Sequence, residues 1–374
     1  MNDRTTGISN PTPSPGPLGC LRSRRRTAFA YALRGVAALV VFLRLVVPAP
    51  AVAAVGYLPA DPLHTVATIS TGQDFPDPSV LVVGGVYYAY ATNAEGRNVP
   101  VMTSANLRDW SAPVDALPVL PPWARPGRTW APAVVDVAGT YRMYYSPIEA
   151  TSGRECISMA VAEQPQGPFH DTGSAPLECQ LNRGGSIDPY VFADSTGSYL
   201  VWKSEDNALD RPTNIWGRAL DPNTGGFAAG SLPVRLLSST ADWQSPSLEG
   251  PAMTVHDGIH YLFYSANDWA TAESGIGYAT CLTALGPCVD RTTSGPWMAG
   301  APDGLAPRGP QGPTVFVDAG GTTRLAFAAW TGGVGYRTHG RRALWTAPLG
   351  YRRFGGQLVP VLSGVGPDLT APRH

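Results

Sequence analysis

A chain of 374 residues with a formal net charge of −1 lacks the basic excess that nucleic-acid binding requires, and no nucleic-acid partner is expected. Charged residues make up only 15% of it, and Lys203 is the single lysine, so the positive charge is nearly all arginine. The 42 glycines and 37 prolines, with no long amphipathic helical pattern, point to an all-β protein rich in turns.

Residues 1–54 read as a signal peptide with a polar N-terminal extension. Residues 1–19 are polar and Pro-rich, and Arg22, Arg24, Arg25 and Arg26 form a basic cluster. An apolar run over residues 37–47, broken by Arg44, leads to the small-residue pattern Ala51-Val52-Ala53-Ala54. The run is too short for a membrane span. Cleavage near Ala53 or Ala54 is expected, giving a secreted protein with no stable membrane association and a mature domain over residues 55–374. The paired arginines hint at twin-arginine export, although Thr27, Ala28 and Phe29 fit that signal poorly.

With Cys20 in the leader, four cysteines remain: Cys156, Cys179, Cys281 and Cys288. They allow three connectivities, of which the local pairs Cys156–Cys179 and Cys281–Cys288 are the simplest. An oxidising compartment lets such bonds form. His256 and His260 flank the turn Asp257-Gly258, so they do not share a helical face and no metal site is expected there.

One phrase recurs five times after the leader: Pro78-Ser79-Val80, Pro132-Ala133-Val134, Pro189-Tyr190-Val191, Pro251-Ala252-Met253 and Pro313-Thr314-Val315. Each proline opens an apolar run. A turn follows, at Gly84-Gly85, Ala138-Gly139, Ser195-Thr196-Gly197, Asp257-Gly258 or Gly320-Gly321, and then a second run rich in aromatics. These are hairpins by alternation and turn chemistry. The prolines stand 54, 57, 62 and 62 residues apart, and a unit of that size holds about four strands. A β-sandwich accounts for hairpins but not for a fixed period, so the expected fold is a five-bladed β-propeller with one core. Proline lacks an N–H and is tolerated where the ladder needs no donor. The first strand of each blade lies innermost, which places the residues before the prolines in a ring at the channel mouth.

That ring holds Asp77, Ala131, Asp188, Gly250 and Gly312, with Glu249 one step before Gly250. Three acids from three blades thus converge on one mouth. Clustered carboxylates cannot all ionise easily, and glycoside hydrolysis needs that division: one acid to protonate the leaving oxygen, one carboxylate to activate water or attack the sugar. As bare turn formers, Asp-Pro and Glu-Gly-Pro would carry no chemistry. A nucleophile-elbow phrase of the Gly-x-Ser-x-Gly kind and a phosphate-binding Gly-Lys-Ser/Thr loop are both missing.

At these residues the chain resembles glycoside hydrolase family 43, a family of five-bladed propellers that includes arabinanases, arabinofuranosidases and xylosidases. The stretches that carry the resemblance are Asp74-Phe75-Pro76-Asp77-Pro78-Ser79-Val80, Thr129-Trp130-Ala131-Pro132-Ala133-Val134, Ser186-Ile187-Asp188-Pro189 and Leu248-Glu249-Gly250-Pro251. Tyr199-Leu200-Val201-Trp202-Lys203 is also similar, and together they span roughly residues 70–350. The resemblance implies an inverting hydrolase of arabinose- or xylose-containing plant polysaccharide, with Asp77 as general base, Glu249 as general acid and Asp188 tuning that acid. Phe75 and Trp130 are candidates to stack on sugar, with Lys203 and Trp330 as further substrate contacts. Many members carry a histidine in the last blade, in some near a calcium. Here that region reads Gly309-Pro310-Gln311-Gly312-Pro313, so no cofactor or metal is expected, and Gln311 offers a neutral hydrogen bond instead. The expected partner is a carbohydrate substrate alone, with the protein a monomer. A retaining fructan-type propeller hydrolase expects an Asn-Asp-Pro phrase that Phe75-Pro76-Asp77-Pro78 does not match, and a non-catalytic sugar-binding propeller would not need all three acids.

Overall fold

The computed structural model describes residues 67–69, 73–300 and 307–362; the expected leader lies outside them. A short strand, β1 (Ala67–Ile69), precedes five antiparallel sheets. The first contains β2 (Ser79–Val83), β3 (Val86–Tyr90), β4 (Pro100–Ser104) and β5 (Val114–Asp115). The second contains β6 (Ala124–Val137), β7 (Thr140–Glu149) and β8 (Ser158–Ala162), with bridges at Ile157–Glu178 and Val161–His170 in place of a fourth strand. The third contains β9 (Ser186–Asp194), β10 (Gly197–Ser204), β11 (Asn214–Leu220) and β12 (Val234–Ser238). The fourth contains β13 (Leu248–His256), β14 (Ile259–Ala266), β15 (Gly275–Cys281) and β16 (Cys288–Asp290). The fifth contains β17 (Arg308–Val317), β18 (Thr323–Thr331) and β19 (Arg341–Phe354), with β1 on its outer edge and β20 (Gln357–Leu362) on the far end of β19.

The innermost strands β2, β6, β9, β13 and β17 touch in that order, and β17 returns to β2, so the sheets close into a five-bladed β-propeller. Among the described residues the only helices are four short 3₁₀ turns, and none is long and apolar enough to cross a membrane.

The expectation of one core needs correcting, because each seam between neighbouring blades has its own cluster. Strand alternation is the cause: successive side chains point to opposite faces, and both faces of a blade are covered. Along β14, Tyr261 and Phe263 pack toward the fifth blade, whereas Leu262 and Tyr264 pack toward the third. On β10, Leu200 and Trp202 face the second blade, and Val201 faces the fourth. The aromatic second run of each repeat is the middle strand that must fill both seams. Both local disulfides, Cys156–Cys179 and Cys281–Cys288, are present.

The prolines also sit differently from expectation. Pro78 stands just ahead of β2, but the other four inner strands run upstream of their prolines to Ala124, Ser186, Leu248 and Arg308. In each of these four blades the residue before the proline and the proline itself together oppose one residue of the second strand, a β-bulge. The single residues opposite are Tyr145, Trp202, Tyr264 and Phe327, all fully buried. The missing N–H of proline costs nothing in a bulge, where the ladder is already interrupted.

Candidate active site

The bulges set the geometry of the channel mouth. All five residues before the prolines adopt left-handed backbone: φ is +51° at Asp77, +44° at Ala131, +55° at Asp188, +55° at Gly250 and +59° at Gly312. Aspartate tolerates this region better than most residues because its short side chain bonds locally. The kink re-aims each side chain out of the ladder, and Asp77 and Asp188 border both the narrow channel and the pocket above it. Below them the Tyr190 hydroxyl lies within reach of the Met253 carbonyl (3.1 Å) and the Val315 carbonyl (3.2 Å), tying three blades together.

The pocket is a cavity of about 620 Å³, and Asp77, Asp188 and Glu249 all line it. Its wall carries six acids (Asp74, Asp77, Asp188, Glu205, Glu249 and Asp268) against two bases, Lys203 and Arg342. Such a surface repels anionic ligands and suits a neutral, hydroxyl-rich one.

Each acid has distinct surroundings. Asp77 Oδ2 accepts a 2.6 Å hydrogen bond from Thr92 Oγ1, which itself accepts from the Ala131 N–H at 2.9 Å, and Oδ1 lies 3.7 Å from the Arg342 guanidinium. Asp188 Oδ2 accepts the Gly250 N–H at 2.9 Å. Burial first, then the nearby charge of Glu249, push its carboxyl up from the ordinary 3.8 to about 8, despite the opposing pull of Lys203. Glu249 Oε2 accepts from Ser247 Oγ at 2.9 Å and from Lys203 Nζ at 3.1 Å. Lys203 also donates to Glu205 Oε1 at 2.6 Å. Burial works against its ammonium, but Glu249, Glu205 and Asp188 outweigh burial and hold the lysine charged.

The remaining sequence candidates divide. Trp130 lines the pocket, half-buried, with the Arg128 guanidinium 5.6 Å from its ring centre. Phe75 does not reach the pocket: it is 1% exposed and packs with Val80, Phe316 and Leu344 in the seam between the first and fifth blades. Trp330 is likewise fully buried, stacked on Trp269 and donating Nε1 to the Trp269 carbonyl at 2.9 Å. Trp269 also faces the cavity, 39% exposed, with Arg342 4.8 Å from its ring centre. Gln311 lines the pocket, but its amide is committed to the Trp269 carbonyl (3.1 Å) and the Gly309 carbonyl (3.4 Å). Lys203 lines the pocket with its ammonium bonded to Glu205 and Glu249.

Residue-by-residue reading of the sequence missed Trp269, Arg342, Tyr336 and Asp74. Tyr336 donates to Asp74 Oδ2 (2.7 Å) and accepts from Arg342 Nη2 (2.9 Å), while Asp74 Oδ1 accepts the Arg342 N–H (2.7 Å). These residues come from loops and from the third strand of the last blade, outside the repeated phrase. Nothing in the chain order marks them. Among the described residues no group of three His, Cys, Asp or Glu is placed to hold a metal ion.

The chain is similar to known proteins in sequence and in fold. A probable arabinan endo-1,5-alpha-L-arabinosidase A of Aspergillus flavus is 27% identical over 217 residues, covering 56% of this chain and 61% of the relative. The extracellular endo-alpha-(1->5)-L-arabinanase 1 of Bacillus subtilis is 24% identical over 238 residues, covering 58% of this chain and 68% of the relative. The crystal structure of a thermostable family-43 glycoside hydrolase superposes with a TM-score of 0.69 at 25% identity, covering 83% of this chain and 98% of that one. The family model for glycosyl hydrolases family 43 matches residues 70–347, well over half of the sequence, and the chain belongs to that family.

Proposed function

We propose that the chain is a secreted glycosidase that hydrolyses arabinose- or xylose-containing plant polysaccharide with inversion at the anomeric carbon. The observation that carries this reading is the convergence of Asp77, Asp188 and Glu249 on one acidic pocket, each in different surroundings. In the proposed reaction Asp77 takes a proton from water, and the hydroxide oxygen bonds to the anomeric carbon. The glycosidic bond breaks on the opposite face, and the leaving oxygen receives the proton of Glu249. Burial first, then the charge of Glu249, favours the neutral form of the Asp188 carboxyl. The proton leaves through Glu249, and Asp188 stabilises the donor by staying close. Trp130 and Trp269 supply flat apolar faces for sugar rings on the pocket wall.

Arabinose is the first pentose to test, since the two relatives above are named as arabinan-cleaving enzymes. The assay follows product anomers by NMR on linear arabinan, aryl arabinofuranoside and aryl xyloside. Asp77→Asn is expected to lower turnover on every substrate by at least about 10³-fold, because water loses its base. Glu249→Gln is expected to spare only substrates with good leaving groups. Full activity of Glu249→Gln on arabino-oligosaccharides would remove Glu249 from the mechanism, and a first-formed product of retained configuration would remove inversion. Export is tested by sequencing the N-terminus of the protein from culture medium, expected to begin near Ala53 or Ala54.

A further inference from the structure

Lys203 stands between two carboxylates, and only one of them has a role in the reaction above. Its Nζ is 2.6 Å from Glu205 Oε1 and 3.1 Å from Glu249 Oε2, with the lysine 1% exposed. A buried ammonium bonded to a general acid alone would favour the ionised acid, which is the wrong state for donating a proton. Glu205 changes that balance. It lies two residues beyond Lys203, at the end of β10, and takes the shorter bond. Both Lys203 and the Ser247 hydroxyl engage the same oxygen of Glu249, Oε2, leaving Oε1 as the oxygen that can carry the proton.

We propose that Glu205 is a positioning residue for hydrolysis: it draws the Lys203 ammonium away from Glu249, so that Glu249 stays protonated until the leaving oxygen takes its proton. This rests on the glycosidase reading of the pocket and names a part of its acid machinery.

The groups that bear on Glu249 come from several elements. Lys203 lies on β10, Glu205 follows it, Asp188 lies on β9 and Ser247 precedes β13. Asp77 acts on Asp188 from the first blade, and Glu155, salt-bridged to Arg128 at 2.8 Å, acts on Glu205 from the second. Among these groups Glu205 alone binds the lysine without lying in the ring of three acids. Its neutral isostere therefore removes the competition and leaves the ring in place.

Glu205→Gln is expected to let Lys203 settle on Glu249. The alkaline limb of kcat/KM against pH should move down by about one unit, since a full charge at hydrogen-bond range shifts a carboxyl by that order. At neutral pH kcat should fall about 10-fold on arabino-oligosaccharides and far less on an aryl arabinofuranoside with a good leaving group, which needs no acid. Glu205→Asp keeps the charge and should restore most of the limb. A limb that stays in place in Glu205→Gln, or a raised KM with unchanged kcat, overturns the proposal in favour of a substrate contact. Because Lys203 is the only lysine, uniform ¹⁵N-lysine labelling gives one side-chain signal even if a variant fails to fold. In the wild-type protein that signal should shift at the midpoint of the alkaline limb, and a signal indifferent to pH there also overturns the proposal. Failure of the wild-type protein to release sugar from any pentoside counts against the glycosidase reading, whereas an unmoved alkaline limb in an active Glu205→Gln variant counts against the proposal alone.

Discussion

At Gly312 an added methyl group would stand 3.0 Å from the Cα of Asp77 and 3.2 Å from its Oδ1, on backbone held at φ +59°. The fifth ring position is glycine because Asp77 passes directly over it. Gly312→Ala is expected to cost about 1–2 kcal/mol for the left-handed conformation of an L-residue. It also pushes on the carboxylate. A misplacement of about 1 Å can cost 10²-fold in rate, so kcat should fall about 10- to 100-fold with KM little changed. Steady-state kinetics beside a thermal melt separates the two effects. Asp188 makes a different kind of prediction. Its folded carboxyl titrates at about 8 against an ordinary 3.8, so the folded state binds a proton that the unfolded chain releases. The stability from that proton is full below pH 3.8 and drains away as pH rises through about 8. Asp188→Asn lacks the titrating group. Across that window the wild-type melting temperature should therefore fall relative to the variant, while the variant loses most of its turnover. Parallel melting curves would mean that the burial of Asp188 does not control its charge.

The inner strand with its bulge is the element that made part of the site legible. The phrase that repeats around the ring marks where each blade begins, and its period alone leads to Asp77, Asp188 and Glu249, because all three occupy or adjoin the same structural position. Phe75, two residues before Asp77, was a candidate sugar contact on the resemblance and not on the repeat. Phe75 lies ahead of β2, outside the ring position, and turns into the seam with the fifth blade, where it is 1% exposed. Trp330 was misread because an aromatic on β18 belongs to a middle strand, and middle strands fill the seams. What it supports is Trp269, reached from a loop after β14 and fixed by bonds from both Trp330 and Gln311 to its carbonyl. Loops that follow no repeat carry no positional signal, and this is why the Asp74–Tyr336–Arg342 network stayed invisible in the chain order. Four of the five prolines read as strand openers were bulge residues for a similar reason. Apolar alternation resumes only after the bulge, so the pattern marks a strand start there, although the ladder has already run for several residues.

A propeller must join its last blade to its first, and in this molecule the joint has two components. The backbone of β1 pairs with β19, Ala67 opposite Thr346 through Ile69 opposite Leu344, so a segment from before the first blade completes the fifth. Further along, the Phe75 N–H donates to the Arg342 carbonyl at 2.8 Å and the Arg342 N–H donates to Asp74 Oδ1 at 2.7 Å. Behind these bonds lies the seam of Phe75, Val80, Phe316 and Leu344. The second component also holds the wall of the pocket, since Arg342 sits beside Asp77. The two can be separated. A chain beginning at Gln73 loses β1 but keeps Asp74, Phe75 and the seam. It is expected to fold, to melt several degrees lower for the loss of about 2–3 kcal/mol of strand pairing, and to keep kcat within about 2-fold. The bared edge of β19 should also favour association between copies, seen as earlier elution on size exclusion. Asp74→Ala in the full-length chain should do the reverse, sparing most of the stability while lowering kcat through a displaced Arg342. If removal of β1 abolished activity as well as lowering the melting point, the closing strand and the pocket would be one cooperative unit, and the seam alone would be too weak to hold the ring shut.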